Sequence, residues 1–452
     1  MTTFKPMAHQ KVSIAFLKKQ PKAFDMSDPG TGKGFVEWVD FAERRKKKGK
    51  CALVIATKSI LDSVWVDDCK KFTPHLTTSV ATGANREAAF KVEADVYITN
   101  HDAVKWLSQK PKGWFAKFDT LIVDESSAFK HHTSQRSKAC AKISKFFDYI
   151  RLMSGTPNTN GVCDLWHQVF VLDGGKRLGR SFFGFRSAVC VPEQVGPAAS
   201  MVKWVDKENA EAIVSALISD IVIRHRFEDC VDIPANHQYS VNYHLPKKHM
   251  EKYKELEDNS ILMLKKSSVT AINGAVLYGK LLQLASGAVY NDDGGYSLID
   301  TERYSLVLDL VQERQHSVVF FHWQHQRDQL IEMAIARKVR YALIDGTVSG
   351  KKRDEVVKHY QAGFYDVIFA HPQSAGHGLT LTKGTATIWT SPTHNLEHYL
   401  QGLKRIHRIG QKEKTETIMV LAPGTVEERV YESLCAKNVK LTTLLDYLKE
   451  TA

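Results

Sequence analysis

The chain has 452 residues, of which 43% are hydrophobic and 25% are charged, and its formal net charge at pH 7 is +12. This composition excludes a disordered polar chain and predicts a globular protein of two or three domains. No apolar run reaches the roughly 18 residues of a membrane span, and the N-terminus lacks the apolar core of a secretion signal, so no membrane association is expected.

The cysteines indicate the redox compartment of the protein, and the net charge indicates the class of its binding partner. The seven cysteines form no C-x-x-C pair, so neither a zinc site nor a disulfide framework is indicated, and a reduced cytoplasmic setting fits. The excess of basic residues favours a polyanionic partner, and nucleic acid is the commonest one.

The first third of the chain alternates short apolar segments with helical patterns. The clearest helical pattern spans residues 34–48. Segments rich in β-branched residues predict strands at 51–57, 95–100, 120–125 and 149–156. Because the strands are almost continuously apolar and alternate with helices, the pattern predicts a parallel sheet that is covered on both faces.

The last third repeats this scheme, and the middle departs from it. Thr425 with Glu428 predicts a capping box at the start of a final helix. Residues 165–300 are less regular and favour helix, most clearly at 247–266, and Pro234 marks the expected boundary between two lobes. Strands are predicted at 317–323, 341–346, 366–371, 386–391 and 416–422.

Residues 27–34 read SDPGTGKG, a glycine-rich turn that ends in a lysine before a helical pattern. Such a turn binds phosphates through backbone N–H groups and the helix N-terminus, and Lys33 would reach the β- and γ-phosphates. Against the full pattern G-x-x-x-x-G-K-[ST], Ser27 replaces a glycine and Gly34 replaces the hydroxyl residue that usually binds Mg²⁺. The alternative is an ordinary turn with an incidental lysine. Upstream, Gln10 is either a reader of an adenine edge or a surface residue.

Two strands end in residues that suit phosphate chemistry. Asp124 and Glu125 follow one of them, where the strand ends of a parallel sheet open onto a ligand crevice. One carboxylate would hold Mg²⁺ and the other would orient or deprotonate the attacking water, unless both are solvated acids that cap a helix. The next strand ends in SGTP, residues 154–157, which is either a relay of movement or an ordinary turn.

Residues 401–414 read QGLKRIHRIGQKEK and concentrate positive charge. Arg405 and Arg408 are three positions apart, so on a helix they share one face and grip an anion together. Three further lysines of this stretch are interpreted as solvated charges: Lys404, Lys412 and Lys414. The basic run at 43–50 suits the negative end of a helix dipole and is also interpreted as a solvated face.

In their order along the chain, these motifs resemble those of the superfamily 2 helicase-like ATPases and, within them, the Swi/Snf-type DNA translocases. MAHQ resembles the adenine-reading glutamine motif, SDPGTGKG motif I, ATKSILDSVW motif Ia and YITNHDAV motif Ib. VDESSAFKHH resembles the DExx box followed by the family's lysine, here Lys130, and SGTPNTN resembles motif III. In the last third, VVFFHW, SAGHGLTLT and QGLKRIHRIGQ resemble motifs IV, V and VI.

The resemblance covers residues 4 to about 440 and implies an α/β fold of two RecA-like parallel-sheet lobes in tandem. ATP would bind in a cleft between the lobes, and double-stranded DNA would lie across both. The first lobe is expected at 1–232, with a helical insertion at about 165–230. The second is expected at 233–452, with a helical insertion at about 245–300 and a helicase C-terminal domain at about 301–445.

The resemblance also implies which residues form the site. Catalytic roles fall on Lys33, Asp124, Glu125, Gln401, Arg405 and Arg408, with Asp124 as the metal ligand. ATP and Mg²⁺ are the expected cofactors, and ATP would contact Gln10, Ser27, Asp28, Pro29, Gly30, Thr31, Gly32, Lys33, Gly34 and Gly376. DNA contacts are expected from Lys58, Ser59, Thr99, Asn100, His101, Ser374, Thr380 and Thr382. Coupling between the sites is expected from Ser154, Gly155, Thr156 and Pro157.

Four residues depart from the family pattern. Ser127 stands where histidine is common and His377 where glycine is common, in addition to Ser27 and Gly34.

The expected function is a monomeric, ATP-dependent motor on double-stranded or branched DNA, without sequence preference, in recombination, repair or replication. The compact chain suggests a bacterial or bacteriophage protein in the host cytoplasm, with replication or recombination proteins as partners. Two alternatives stay open: a motor that strips proteins from DNA, and an ATP- and DNA-binding scaffold that has lost turnover through Gly34.

Overall fold

The computed structural model describes residues 4–195, 201–266, 271–291, 294–375 and 379–450. The chain forms two compact units, one made of Met1–Asp232 with Lys437–Ala452 and the other of Ile233–Ala436. The expected second lobe included residues 437–452, which lie instead with the first unit. Their buried leucines are spaced as one helical stripe, and the Leu444 carbonyl accepts a hydrogen bond from Ser215 Oγ at 3.2 Å.

The first unit contains nine strands and ten helices among its described residues before Asp232. The strands are β1 Lys22–Asp25, β2 Cys51–Ala56, β3 Thr78–Ala81, β4 Val96–Asn100, β5 Phe118–Asp124, β6 Tyr149–Met153, β7 Cys190–Gln194, β8 Val202–Asp206 and β9 Val222–Ile223. The helices are α1 Ala8–Lys19, α2 Lys33–Lys48, α3 Asp67–Phe72, α4 Arg86–Lys91, α5 Ala103–Leu107, α6 Gln135–Ser144, α7 Cys163–Asp173, α8 Phe182–Val189, α9 Ala210–Ile218 and α10 Phe227–Cys230. Short 3₁₀ segments lie at Lys58–Ile60, Lys112–Lys117, Ser126–Phe129 and Ser219–Ile221, and a π-helical segment lies at Leu61–Val66.

Seven of these strands form one parallel sheet in the order β3-β4-β2-β5-β6-β1-β9. The four strands predicted in the first third are confirmed, and the interior of β2 is completely buried, as its unbroken apolar run requires. Across three neighbouring strands Asp25, Met153 and Asp124 are in register. The residues that follow β1, β6 and β5 therefore emerge side by side.

The second unit contains the remaining strands and helices. The strands are β10 Asn236–Asn242, β11 Ala288–Tyr290, β12 Tyr296–Leu298, β13 Ser317–Phe320, β14 Tyr341–Ile344, β15 Val367–Ala370, β16 Ala386–Trp389 and β17 Thr415–Leu421. The helices are α11 Lys247–Lys266, α12 Ala271–Ala285, α13 Glu302–Gln312, α14 Gln324–Ala336, α15 Gly350–Gln361, α16 Pro372–Ala375, α17 Leu396–Ile406 and α18 Val426–Glu450, whose last part belongs to the first unit.

Six strands of the second unit form a second parallel sheet in the order β10-β17-β16-β13-β15-β14. Its five predicted strands are confirmed, and so is the expected α/β class with two parallel sheets. Helix α18 begins as predicted after Thr425, although the hydroxyl oxygen of Thr425 accepts from Glu427 N at 3.2 Å and the Glu428 carboxylate accepts from Gly424 N at 3.0 Å.

Both insertions contain a β-hairpin that the helical expectation missed. Strands β7 and β8 pair antiparallel in the first insertion, and β11 and β12 do so in the second. Strand β7 was not predicted because it contains Pro192 and is mostly exposed, and proline and polar residues weaken the pattern of a strand. Among the described residues, every helix is too short or too polar to cross a membrane.

Candidate active site and nucleic-acid contacts

One edge of the first sheet collects most of the predicted site. The segments with Lys58, His101, Asp124, Gly155 and Lys33 each follow the carboxyl end of a strand, namely β2, β4, β5, β6 and β1. Because parallel strands end at the same edge, five motifs that are scattered over the first 160 residues become neighbours.

The glycine-rich turn has the geometry of a phosphate-binding loop. Gly30 and Gly32 adopt left-handed φ angles of 92° and 83°, which only glycine adopts without cost, and α2 begins at Lys33. The N–H groups of a first helical turn have no acceptor within the helix and lie at its positive end. Lys33 Nζ donates to the carbonyls of Ser27 and Asp28 at 2.7 and 3.1 Å, so its charge lies over the turn.

Gln10 lies directly against this turn. Its Nε2 donates to the Thr31 carbonyl at 3.3 Å, its Oε1 accepts from Met7 N at 3.0 Å, and a Cβ on Gly32 would lie 2.4 Å from Nε2. The surface-residue alternative for Gln10 is therefore wrong, since only 7% of it is exposed. Recognition of adenine by Gln10 stays a prediction.

The side chains of the turn are engaged in holding its shape. Asp28 forms an ion pair with Arg224 at 2.8 Å and accepts from Phe227 N at 2.8 Å. The Ser27 hydroxyl accepts from His225 N at 3.0 Å, and the buried Thr31 hydroxyl donates to the Asp28 carbonyl at 2.9 Å. The segment after β9 thus braces the phosphate turn, a role that the sequence did not predict.

Asp124 lies at the end of β5 in a network of donors. Its Oδ2 accepts from Trp65 Nε1 at 3.0 Å, its Oδ1 accepts from Glu125 N at 3.0 Å, and its carbonyl accepts from His101 Nε2 at 2.8 Å. Burial holds the pKa of the Asp124 carboxyl above its ordinary value, although the hydrogen bond from Trp65 and the nearby ammonium of Lys33 act in the opposite direction. Sequence reasoning missed Trp65, although it ends the quoted stretch ATKSILDSVW.

This donor set fits Mg²⁺ bound together with a nucleotide. Among the described residues, no group of three or more histidine, cysteine or acidic side chains forms a self-sufficient metal cage. Mg²⁺ typically keeps several waters and takes one or two carboxylates plus substrate phosphates, and Asp124 next to Lys33 supplies that kind of ligand. Glu125 follows Asp124 in a left-handed backbone conformation, with φ of 50°, so β5 ends at Asp124.

The predicted DNA-contact residues of the first unit divide into two groups. Lys58 and Ser59 are exposed. Thr99 is fully buried and its hydroxyl donates to the Ala81 carbonyl at 2.6 Å, so the structure contradicts a DNA contact by that hydroxyl. Asn100 Oδ1 accepts from Arg86 at 3.4 Å. Burial lowers the pKa of His101 to about 4, so the ring is neutral and holds Asp124.

The SGTP segment is in contact with the phosphate turn. Ser154 N donates to the Asp25 carbonyl at 3.1 Å, and a Cβ on Gly155 would lie 2.6 Å from Pro29 Cδ. Thr156 N donates to Ser154 Oγ at 3.1 Å, and the Pro157 carbonyl accepts from Gln168 at 2.8 Å. These contacts fit a coupling role, which stays a prediction.

Lys130 extends this arrangement beyond the turn. Its Nζ lies 2.9 Å from Thr159 Oγ1 and 3.1 Å from Asp164 Oδ2. Asn160 donates to the same Asp164 oxygen through its backbone and its side chain, at 3.0 and 3.2 Å. The lysine after the acidic box is therefore tied to the residues that follow SGTP.

In the second unit Arg405 and Arg408 converge, but not through one helical face. Helix α17 ends at Ile406, so the helical argument is wrong for Arg408, which follows the helix. Both guanidinium groups nevertheless donate to the Leu379 carbonyl, at 3.2 and 2.9 Å. Arg405 is buried and Arg408 is half-buried. The buried amide of Gln401 donates to Glu397 at 3.3 Å.

The other predicted residues of the second unit are close to Leu379 in the sequence. Ser374 and Thr380 are half-buried, and the Thr382 hydroxyl accepts from Gln361 Nε2 at 3.0 Å. Gly376 and His377 lie outside the described residues. Of the flanking lysines, Lys412 and Lys414 are exposed, as expected of solvated charges.

Comparison with known proteins identifies related sequences over the whole chain. Protein p41 of Acyrthosiphon pisum secondary endosymbiont phage 1 is 28% identical over 99% of this chain and 100% of its own length. An ATP-dependent helicase of Mycoplasma genitalium is 23% identical over 84% of this chain, which spans 36% of that protein. The chromodomain-helicase-DNA-binding protein 1-like protein of Mus musculus is 22% identical over 87% of this chain and 44% of its own length.

A solved structure and two family models complete the comparison. The Sulfolobus solfataricus SWI2/SNF2 ATPase core, solved with double-stranded DNA, aligns with 98% of this chain and 94% of its own at 19% identity and a TM-score of 0.45. The model of the SNF2-related domain matches residues 12–286, and that of the helicase conserved C-terminal domain matches residues 302–410. With more than half of its length matched by the first model alone, the chain belongs to the SNF2-related family of helicase-like ATPases.

Proposed function

We propose that this chain hydrolyses Mg²⁺-bound ATP in response to DNA and uses the energy to translocate along duplex or branched DNA without sequence preference. The observation that carries the proposal is the pair of hydrogen bonds to Asp124, from Trp65 and from His101. Each donor belongs to a segment expected to touch DNA, because Trp65 follows Lys58 and Ser59 by one short helical segment and His101 follows Asn100 directly. DNA bound at these segments would therefore act on the residue that holds the metal.

The proposed chemistry assigns one task to each residue of the site. The N–H groups of the phosphate turn and Lys33 bind the phosphates, and Asp124 holds Mg²⁺, which neutralises negative charge on them when it is bound. Glu125 orients the attacking water and accepts its proton. Arg405 and Arg408 stabilise the charge that develops on the transferred phosphate, a contribution of about 10³–10⁵ in rate where such arginines have been measured.

The arginine role requires a change of partner. In the structure both guanidinium groups donate to the carbonyl of Leu379. Leu379 lies next to Thr380 and Thr382, which are proposed to contact DNA together with Ser374. Transfer of an arginine from this carbonyl to phosphate would thus also release the segment that contacts DNA. Such an exchange would couple hydrolysis to movement on DNA.

Phosphate contacts are proposed to dominate DNA affinity. The net charge of +12 and the exposed Lys58 support sequence-independent attraction. Relatives named as ATP-dependent helicases and the full-length phage relative support a motor that works in the cytoplasm of a host cell. We further propose that the chain acts as a monomer, in recombination, repair or replication, with proteins of those processes as partners.

The decisive experiment measures phosphate release with no nucleic acid, single-stranded DNA, duplex DNA, a four-way junction and RNA. We expect strong stimulation by duplex or branched DNA and little by RNA. Stimulation by RNA alone would contradict the DNA assignment. Movement of a synthetic four-way junction would support branch migration or fork regression, whereas displacement of a bound protein without junction movement would favour a motor that strips proteins from DNA.

A second candidate function is favoured by one residue. Gly34 removes the hydroxyl that usually completes the Mg²⁺ shell, which would suit a scaffold that binds ATP and DNA without turnover. Phosphate release by the natural chain on duplex DNA, at a rate abolished by Lys33→Ala, would exclude the scaffold. Nucleotide binding without release on any DNA would favour it.

A further inference from the structure

The glycine that replaces the expected hydroxyl residue has a carboxylate beside it. Gly34 is the second residue of α2, and a Cβ built on it would lie 3.5 Å from Asp68 Oδ2, an ordinary contact distance. Its φ lies outside the left-handed range, so the backbone would accept a side chain there. The carboxylate of Asp68 thus stands next to the place that the missing threonine or serine would occupy.

Asp68 reaches this place because of the segment that also supports Asp124. Trp65 lies three residues before Asp68, and the π-helical segment that contains Trp65 runs directly into α3. The indole donates to Asp124 Oδ2 at 3.0 Å. One continuous helical segment therefore delivers a hydrogen-bond donor to the predicted metal ligand and a carboxylate to the helix that begins with Lys33.

We propose that Asp68 takes over the task of the missing hydroxyl and supplies an oxygen to the Mg²⁺ shell, either directly or through one bound water. The inference rests on the proposed function, because it needs Mg²⁺ to bind here with a nucleotide. Mg²⁺ prefers oxygen ligands and accepts one or two carboxylates alongside its waters. Asp124 and Asp68 would be those two carboxylates. An anionic ligand from α3 would offset the loss of a neutral one from α2, so Gly34 does not by itself imply a dead site.

The proposal is tested by metal affinity rather than by turnover. The full chain is saturated with ADP in the absence of DNA, and Mn²⁺ binding is followed by electron paramagnetic resonance, with Mg²⁺ as competitor. Asp68→Asn is expected to weaken metal affinity by about 10–100-fold, the usual cost of losing a residue that supports a metal shell. ADP affinity in the presence of a chelator should stay unchanged, because Asp68 is proposed to contact the metal shell and not the nucleotide.

Three further variants make the test specific. Asp67→Asn is the matched control, since Asp67 is the exposed neighbour of Asp68 and pairs with Lys70 at 3.5 Å. It should keep the metal affinity of the natural chain. Gly34→Thr combined with Asp68→Asn should restore most of the lost affinity, because it returns a hydroxyl to the site. Asp68→Glu should stay within a few-fold of the natural chain.

The outcomes separate this inference from the function on which it rests. Equal metal affinity in Asp68→Asn and Asp67→Asn would overturn the inference while leaving the proposed function intact. A loss in Asp68→Asn that Gly34→Thr fails to restore, with a lowered thermal midpoint, would assign Asp68 a folding role and overturn it as well. Failure of the natural chain to bind Mn²⁺ with ADP would instead overturn the Mg²⁺-dependent ATPase proposal itself.

Discussion

Replacement of Gly155 by alanine is expected to damage nucleotide binding from outside the phosphate turn. The new Cβ would lie 2.6 Å from Cδ, 2.8 Å from Cγ and 3.1 Å from the backbone nitrogen of Pro29. A proline ring has no rotamer that clears such a contact, and the adjacent Asp28 is fixed by Arg224 and by Phe227 N. Relief therefore requires movement of the turn itself.

The magnitude follows from the cost of adding a methyl group to a tightly packed position. Such overpacking costs about 1–3 kcal/mol. If the strain is borne by the turn, and about 1.4 kcal/mol corresponds to a tenfold change in an equilibrium constant, ADP affinity should fall by about 5–150-fold. The remaining strain should lower the thermal midpoint of the first unit by a few degrees.

The assay is calorimetric titration of ADP, with thermal unfolding measured alongside. Gly113→Ala is the matched control, because a Cβ there meets no atom within 4 Å and its φ is outside the left-handed range. The control should change neither quantity. If Gly155→Ala bound ADP as tightly as Gly113→Ala and unfolded at the same temperature, the contact between the SGTP segment and the phosphate turn would not constrain the turn, and the reasoning would be refuted.

Three other predictions concern charge. Arg408→Ala should lower kcat by about 10³ with little change in ATP affinity, since its charge is needed mainly in the transition state, whereas Lys412→Ala should stay near the natural rate in the same steady-state assay. Lys33→Ala should abolish ATP turnover but keep the affinity for duplex DNA within a few-fold of the natural chain. For the natural chain and for Lys33→Ala alike, duplex affinity should fall by about 10³–10⁵ between 50 and 200 mM salt if six to ten phosphates are contacted. A salt-insensitive affinity in filter binding would contradict this. Burial lowers the pKa of His101 from 6.5 to about 4, so as the pH falls the imidazole is protonated in the unfolded chain before it is protonated in the folded one. The contribution of the neutral ring to the free energy of unfolding is therefore fully present above pH 6.5 and is lost as the pH falls toward 4. The thermal midpoint of His101→Gln should therefore fall less than that of the natural chain between about pH 7 and pH 5, and parallel curves would speak against this role.

Nine of the thirteen strands in the two parallel sheets, the α/β class and the order of the motifs could be predicted from the amino-acid sequence, whereas β1, β3, β9 and β10 were not predicted. Segments such as 51–57 and 386–391 predict buried strands because β-branched apolar runs favour extended backbone whatever their partners are. The phosphate turn is equally local, since Gly30 and Gly32 permit left-handed angles that other residues avoid. The β7–β8 hairpin was not predicted because β7 contains Pro192 and exposes its other polar residues, which weakens the strand pattern.

Which side chains contact one another depends on the three-dimensional fold. Trp65 and Asp124 are 59 positions apart, and Phe227 and Asp28 are 199 apart, so no local pattern encodes either hydrogen bond. The same holds for the pairing of Arg405 with Arg408, which depends on how the chain turns after α17 rather than on helical spacing. The strand order β2-β5-β6-β1 brings the site together, because side chains at the ends of adjacent parallel strands become neighbours however far apart they are in sequence.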